Sequence, residues 1–391
     1  VVYATALVLA IEVDMAHQAR SVAVLVGNGL SIAFNHELAL QSLTKEVLSR
    51  IENAEGGDVV SAIKEIAERA LPHGVSSDSD FEMLVGAFGA ESRTLGLLGS
   101  LAKLQSPSDK RLRRAIKRVS AFANQVRDNG ISYVLQVIAE RSHAYEDESE
   151  QLRSLVKDVV RHFEGQVTFG NLNYDTLLLA ALISVCQDDF ADMGHGWRSV
   201  NVTVEDNRTI SVPALRADVS DFPSGRRVQL LHMHGSLTFW AKADGTIFAK
   251  LPRELLENAD QWEAVRAQTT NVRPVVVLAN QKDKAEHVER YPFSVAYGAF
   301  GAGLSRAAHW LVIGYSFRDA PVNAQLREQF RLANNSPTVL VVLFGDTPTR
   351  VEIEQAFGWS HDDGSSEEWL LIDRQGADGV QNRNEWNTFI S

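Results

Sequence analysis

The stretch "AVLVGNGLSIAFN", residues 23 to 35, begins as an uninterrupted apolar run and then breaks into a turn with two glycines separated by one asparagine. An apolar run of this length bounded by glycine reads as a buried strand, and the residues after the turn read as the start of a helix. Strand, glycine turn and helix together make a place where an anion can approach backbone N–H groups closely. Gly27-x-Gly29 is followed by Ile32 where a dinucleotide fingerprint would set its third glycine, so the stretch does not specify a ligand by itself. The rest of the chain has to supply the context.

The segment that follows is helical in pattern. Residues 37–52, 57–71, 81–104, 108–128, 131–145 and 149–163 carry apolar side chains at helical spacing, with breaks at "GG", "PHG", "SPSD" and "DNG", and no strand pattern intervenes between Phe34 and Glu164. From residue 166 the texture changes to short apolar runs alternating with helices: "QVTFGNLNYD", "VQLLHMHG", "PVVVLAN", "HWLVIGYS" and "TVLVVLFG". Such runs mark strands of a parallel sheet covered on both faces. The opening strand belongs with them, which makes the helices an insertion between the first and second strands of one α/β core. The expected organisation is a single domain over 15–391. Its core comprises 15–35 and 164–391, the helical insertion spans 36–163, and a small irregular or β-hairpin module occupies 195–228 around "SVNVTVEDNRTISV".

Composition narrows the function. The chain has 391 residues, 45% hydrophobic and 23% charged, with 38 basic and 50 acidic side chains and a formal charge of −12, which opposes sequence-independent attraction to nucleic acid over the whole surface. Cys186 is the single cysteine, so no intramolecular disulfide and no cysteine-rich zinc module can form, as expected in a reducing compartment such as the cytoplasm. The run "VVYATALVLAIEVDM" at the start is interrupted by Glu12 and Asp14, lacks a basic leader and is shorter than a bilayer span, so no membrane segment is expected from it; Met15 is an alternative start.

Open parallel sheets place ligands at the carboxyl ends of their strands. In chain order those ends carry Gly27-Asn28-Gly29, then Asn171-Leu172-Asn173-Tyr174-Asp175, then His234-Gly235-Ser236, then Gly314-Tyr315-Ser316-Phe317. Each group has a structural explanation when taken singly: Asn173 and Asp175 as helix caps, His234 as a buried histidine, and Tyr174, Tyr315 and Phe317 as packing residues. Their convergence at four strand ends points to a site. His232 and His234, two apart on a strand, face the same way as zinc ligands do, with His195 as the only histidine near in sequence for a third ligand. Gly235 closes the strand after His234, which places His232 deeper, as a core residue or one supporting the site.

This constellation resembles the sirtuin family. "GNGLS" is similar to the family's glycine-alanine-glycine-hydrophobic-serine loop, with Asn28 in place of alanine. "LNYD", residues 172–175, resembles its glutamine-asparagine-isoleucine-aspartate motif with Leu172 in place of glutamine, and "HMHGS" resembles its histidine-glycine pair at His234. "GYSFRDAPVN", with Asp319 and Asn323, is similar to the corresponding loop of sirtuin-like proteins of bacterial antiphage defence. The likeness covers residues 22–35 and about 166–345. It implies a Rossmann-like core that takes NAD as substrate, Asn173 and His234 as catalytic residues, and a cofactor cradle of Gly27, Asn28, Gly29, Ser31, Asp175, Gly314, Ser316, Phe317 and Asn323. It also implies a homo-oligomer paired with a HerA-type ATPase. The four-cysteine zinc module of deacylating sirtuins is missing, and "AFNHELAL" lacks their arginine-bearing loop, so the resemblance favours outright NAD hydrolysis and no zinc.

The chemistry asked of these residues is simple. Breaking the nicotinamide–ribose bond passes through an oxocarbenium-like state, and nicotinamide leaves without an acid. His234, with an ordinary pKa of ~6.5, is expected to act near neutral pH as base toward water or a ribose hydroxyl. Asn173 would orient that water and the ribose, and Asp175 would hold the nicotinamide carboxamide. The amides of Gly27 to Ser31 would take the pyrophosphate, Ser316 the adenosine ribose or a phosphate, and Phe317 could lie against a base. One feature departs from the acidic average: "KRLRRAIKR", residues 110–118, sets Lys110, Arg113, Arg114, Lys117 and Arg118 on one helical face, with Leu112, Ala115, Ile116 and Val119 opposite. It reads either as a solvated face or as a docking surface for an acidic partner or nucleic acid. Three functions stay open: an NAD-hydrolysing defence effector, a protein deacylase, and a catalytically silent NAD or ADP-ribose binding module.

Overall fold

The computed structural model describes residues 19–70, 97–98, 100–102, 109–146, 149–277 and 281–391. The N-terminal apolar run and most of the helix expected over 81–104 lie outside these. Twelve strands are formed among the described residues: β1 (Val22–Val26), β2 (Val167–Asn171), β3 (Phe190–Asp192), β4 (Ser199–Thr203), β5 (Thr209–Pro213), β6 (Val228–His232), β7 (Gly235–Lys242), β8 (Phe248–Lys250), β9 (Val272–Val276), β10 (His309–Ile313), β11 (Thr338–Val342) and β12 (Leu370–Asp373). Seven of them make one parallel sheet in the order β12-β11-β10-β1-β2-β6-β3. The fold is α/β, with a Rossmann-like parallel core, added helices and small antiparallel sheets.

The sheet is covered on both faces, and β1 shows how. Val22, Val24 and Val26 enter one apolar cluster with Leu43 and Val47, Leu152 and Val156, and Leu178 and Leu182 from three helices. Ala23 and Leu25 enter the other with Phe300 from the helix Phe293–Arg306 and Leu326 from the helix Ala320–Leu332. Alternate side chains serve opposite cores, so a strand in this position has no polar face, and the run "VAVLV" is the result.

Among the described residues the longer helices between β1 and β2, after the short helix Asn28–Phe34 that follows the glycine turn, are Leu40–Glu55, Gly57–Ala70, Lys110–Glu146 and Glu150–His162. Two expectations fail here. "DNG" does not end a helix: Lys110–Glu146 runs through Asp128-Asn129-Gly130 without a break. A glycine inside a helix costs about 1 kcal/mol, which burial of Tyr133, Val134, Leu135, Val137 and Ile138 just beyond it outweighs. Arg50 and Glu140 also join this helix to its neighbour, with paired contacts of 3.0 and 2.6 Å. At the other end of the helix the side opposite the basic residues is exposed too: Leu112 is 41%, Val119 49% and Phe122 66% accessible.

"PVVVLAN" is the third correction. Its strand, β9, pairs antiparallel with β7 in a separate sheet of order β8-β7-β9, outside the parallel core. An apolar run bounded by turn residues has the same pattern in a buried antiparallel strand, and the sequence alone does not separate the two. β4 and β5 form an antiparallel hairpin within 195–228. Among the described residues no helix is long and apolar enough to cross a membrane.

Candidate active site

Register sets the site. Val26 pairs with Ile313 on one side and Asn171 on the other, and Asn171 pairs with His232, so Ile313, Val26, Asn171 and His232 form one line across the sheet. The four sequence-predicted groups leave the sheet just beyond this line, side by side. After β1 the chain builds β2, β6 and β3 on one flank and later β10, β11 and β12 on the other, so the topological switch lies between β1 and β10. That is where an open α/β sheet opens a crevice.

At the switch the glycines have a use that the sequence does not reveal. A Cβ on Gly27 would stand 2.6 Å from the Gly314 carbonyl oxygen, and one on Gly314, whose φ is +63°, would stand 2.3 Å from the Leu30 nitrogen. The loops after β1 and β10 cross backbone against backbone, and side chains there would force them apart. The same crossing consumes donors: Gly27 N–H bonds to Ile313 O (2.9 Å), Gly29 N–H to Gly314 O (2.9 Å) and Leu30 N–H to Gly27 O (3.0 Å). Most of the amides expected to take a pyrophosphate are therefore already engaged. The glycine spacing answers first to loop packing, with the half-buried Asn28 standing at the crossing.

Next to it runs a buried chain of hydrogen bonds. Asn173 Nδ2 donates to Gly27 O (3.0 Å) and to Ser31 Oγ (2.8 Å), and Ser31 Oγ donates to Asp175 Oδ2 (2.6 Å). The other Asp175 oxygen accepts the Leu177 amide (3.1 Å) as the helix Leu177–Cys186 begins, although the N-cap position itself is Thr176. Burial raises the Asp175 pKa above the usual carboxylate value, against the lowering effect of Ser31 and the Leu177 amide. The Gly27 carbonyl fixes which way the Asn173 amide points. Among the described residues no donor pairs with its Oδ1, which leaves that oxygen as an acceptor.

His234 does not continue a strand. β6 ends at His232, residues 233 and 234 form a turn, and Gly235, at φ +88°, opens β7. The turn brings His234, 3% exposed, against three residues that the sequence reading did not place. Its Nε2 lies 3.4 Å from Asp319 Oδ2 and 3.3 Å from the Tyr297 hydroxyl, and Lys284 Nζ lies 2.9 Å from the same Asp319 oxygen. Burial, with Lys284 adding to it and Asp319 opposing, pushes the His234 pKa down to about 3. The imidazole is thus neutral at pH 7, and the expectation of a base titrating near 6.5 is corrected. Asp319 was noted only within the "GYSFRDAPVN" likeness; Lys284 and Tyr297 sit in helices with no motif that could have marked them.

The β10 loop is braced from within. The Tyr315 hydroxyl donates to Asn323 Oδ1 (2.7 Å) and to Asp319 O (3.1 Å), while Asn323 Nδ2 donates to Phe317 O (2.7 Å). Phe317, at φ +56°, is buried with its ring 4.8 Å from Tyr315 and 6.0 Å from Phe357. Asn323 and Phe317 therefore shape the loop, and Ser316 is the exposed polar side chain at its tip. His232 lies at 1% exposure with its ring edge-on to Phe239 and its pKa pushed down to about 4 by burial. Among the described residues no cluster of three or more His, Cys, Asp or Glu side chains could hold a metal ion.

No family model matches the chain, and no curated protein gives a significant match. Among solved structures it is similar to a Sir2 in complex with the inhibitor EX-527, 2'-O-acetyl-ADP-ribose and deacetylated p53 peptide, at 14% identity over 62% of this chain and 73% of that one, with a TM-score of 0.32. A structure on the mechanism and regulation of Sir2 enzymes matches at 13% identity over 61% and 68%, with a TM-score of 0.32. A Sir2 bound to acetylated peptide matches at 13% over 62% and 71%, with a TM-score of 0.28. The line of paired residues across the sheet, and not a match to a family, marks the candidate site in this chain.

Proposed function

We propose that the strand-end crevice binds NAD and hydrolyses its nicotinamide–ribose bond, making the protein an NAD glycohydrolase. The observation that carries this reading is that Asn173 and His234 each stand two residues beyond the paired Asn171 and His232, past the ends of neighbouring strands, with the Asn173 amide nitrogen tied to Gly27 and Ser31. Its carbonyl oxygen can then accept from a water or a ribose hydroxyl. His234, neutral at pH 7, offers a second acceptor. Water adds to the anomeric carbon as the C–N bond electrons leave with nicotinamide, giving ADP-ribose and a proton released to solvent. No group has to act as an acid, which suits a neutral imidazole, too weak an acid to give up its N–H near pH 7. Ser316 and Asn28 would contact the phosphates or adenosine ribose, and Asp175, both oxygens engaged, would act through Ser31.

In a cell this activity would deplete NAD as an antiphage defence effector in the cytoplasm. A homo-oligomer would work with a HerA-type ATPase, and the basic stripe from Lys110 to Arg118 would dock an acidic partner or nucleic acid. With Cys186 as the single cysteine, the reading needs no zinc. The direct test is to incubate the purified chain with NAD and follow nicotinamide and ADP-ribose by chromatography. Release by the wild type, lost in Asn173→Ala and in His234→Ala, is the expected result, and the double variant should be no worse than the poorer single one. Release that requires an acetyl-lysine peptide would turn the reading to a deacylase. Tight ADP-ribose binding without turnover would turn it to a silent binding module.

A further inference from the structure

Lys284, Asp319 and Tyr297 stand around His234 without a part in the reaction as proposed. They come from three places: the helix Gln281–Val288, the loop after β10 and the helix Phe293–Arg306. Asp319 and Lys284 are each 8% exposed, and an ion pair at that depth is a costly feature for stability alone. Its geometry is specific. Asp319 Oδ1 accepts the Val322 amide (3.1 Å) as N-cap of the helix Ala320–Leu332, which prevents the carboxylate from turning. Oδ2 is left buried, facing His234 Nε2 at 3.4 Å and the Lys284 ammonium at 2.9 Å, with no aligned hydrogen bond to either.

We propose that Asp319 and Lys284 are positioning residues for His234: the Asp319 carboxylate, 3.4 Å from Nε2, favours the tautomer that carries its proton on Nε2, beside the Tyr297 hydroxyl, and leaves the lone pair on Nδ1, while Lys284 holds the carboxylate in place. Nδ1 then becomes the acceptor offered to the reacting water or ribose hydroxyl. A carboxylate that orients a histidine in this way sets which nitrogen is basic. Lys284 adds a second effect. A buried carboxylate alone would draw a proton onto the imidazole, and the ammonium on the same oxygen cancels that pull, in keeping with the neutral His234. Burial works to raise the Asp319 pKa, but His234 and Lys284 outweigh it and keep the carboxyl ionised. The groups facing His234 are Asp319, Lys284 and Tyr297, with Tyr315 against Asp319; burial raises both phenols well above 10, so they stay neutral.

The kinetic part of this inference rests on the NAD reading, and the tautomer part does not. The first experiment is a 15N spectrum of histidine-labelled full-length protein without substrate, with His234 assigned by comparison with His234→Gln. The wild type is expected to show the Nε2–H tautomer. Asp319→Asn keeps the cap acceptor and should show a mixture, while Lys284→Arg should keep the wild-type pattern. A wild-type Nδ1–H tautomer, or an Asp319→Asn spectrum unchanged from wild type, would overturn the proposal. The second experiment is the pH dependence of nicotinamide release. Lys284→Met should move the acid limb upward by at least one pH unit, with KM within twofold, and Lys284→Arg should restore it. An unmoved acid limb in Lys284→Met would count against the role of Lys284. If the wild type releases no nicotinamide, the NAD reading falls, and the tautomer measurement still decides the positioning of His234.

Discussion

Gly29 donates its amide to the carbonyl oxygen of Gly314 at 2.9 Å, and a Cβ on Gly29 would stand 2.6 Å from the Gly314 Cα. Two glycines 285 positions apart thus make one structural unit, the crossing of the helix start after β1 with the loop after β10 at the centre of the sheet. Gly314→Ala would add both a steric clash and a left-handed backbone strain, and the expected cost is about 3 kcal/mol. Chemical denaturation of the variant checks it. A Gly314→Ala protein of unchanged stability would show that the loops can part easily.

Asn173 stands just past a strand end, where the sequence alone predicts that a substitution spares the fold. Its amide nitrogen, however, ties Gly27 O to Ser31 Oγ. Asn173→Ala should lower stability by about 1–3 kcal/mol as well as abolishing most nicotinamide release. Ser316→Ala, at an exposed tip, should weaken NAD binding severalfold with no change in melting temperature. Melting curves recorded beside titrations with NAD separate the two behaviours.

His232 gives the protein a pH dependence of known sign. Its folded-state pKa is about 4 against an ordinary 6.5, so below pH 6.5 the unfolded chain binds a proton that the native state refuses. Its contribution is full above pH 6.5 and is lost as pH falls, reaching ~3 kcal/mol of lost stability at pH 4. His234, pushed down to about 3, adds to the slope in the same direction. Stability measured at pH 7, 5.5 and 4.5 should decline steadily, and His232→Leu should make the decline shallower whatever it does to stability at pH 7.

Lys250 reaches Asp192, a carboxylate at 0% exposure that also accepts the amides of Gly194 (2.9 Å) and His195 (2.6 Å). Lys250→Met would leave that charge buried without its cation, at an expected cost of about 3–5 kcal/mol. Asp192→Asn introduced on top should recover part of the loss. Equal losses in the single and double variants would show that the pair contributes little.

The sequence made the central strands legible because they are buried on both faces: "VAVLV" is apolar throughout and "TVLVV" is apolar after its half-buried first residue. β3 and β12, of three and four residues, were too short to carry a pattern, and "PVVVLAN" carried the right pattern for the wrong sheet. Asn173, Ser31, Asp175 and His234 could be found because chemistry and chain order marked them. Lys284 and Tyr297 could not, since a lysine and a tyrosine in ordinary helices announce nothing until folding carries them to His234. The depth of His234 was equally hidden. Its depressed pKa comes from what surrounds it, and a strand-end motif does not record that.

The place of β1 in the middle of the sheet has a consequence for synthesis. It is the first strand of the sheet to leave the ribosome, yet it needs β2 on one side and β10 on the other, and Val26 waits for Ile313. At ~5–20 residues per second that wait lasts roughly a quarter of a minute to a minute. Until β2 is made the apolar strand has two open edges, and from then until β10 is made it has one; the helices that emerge first are the earliest surface able to shelter it.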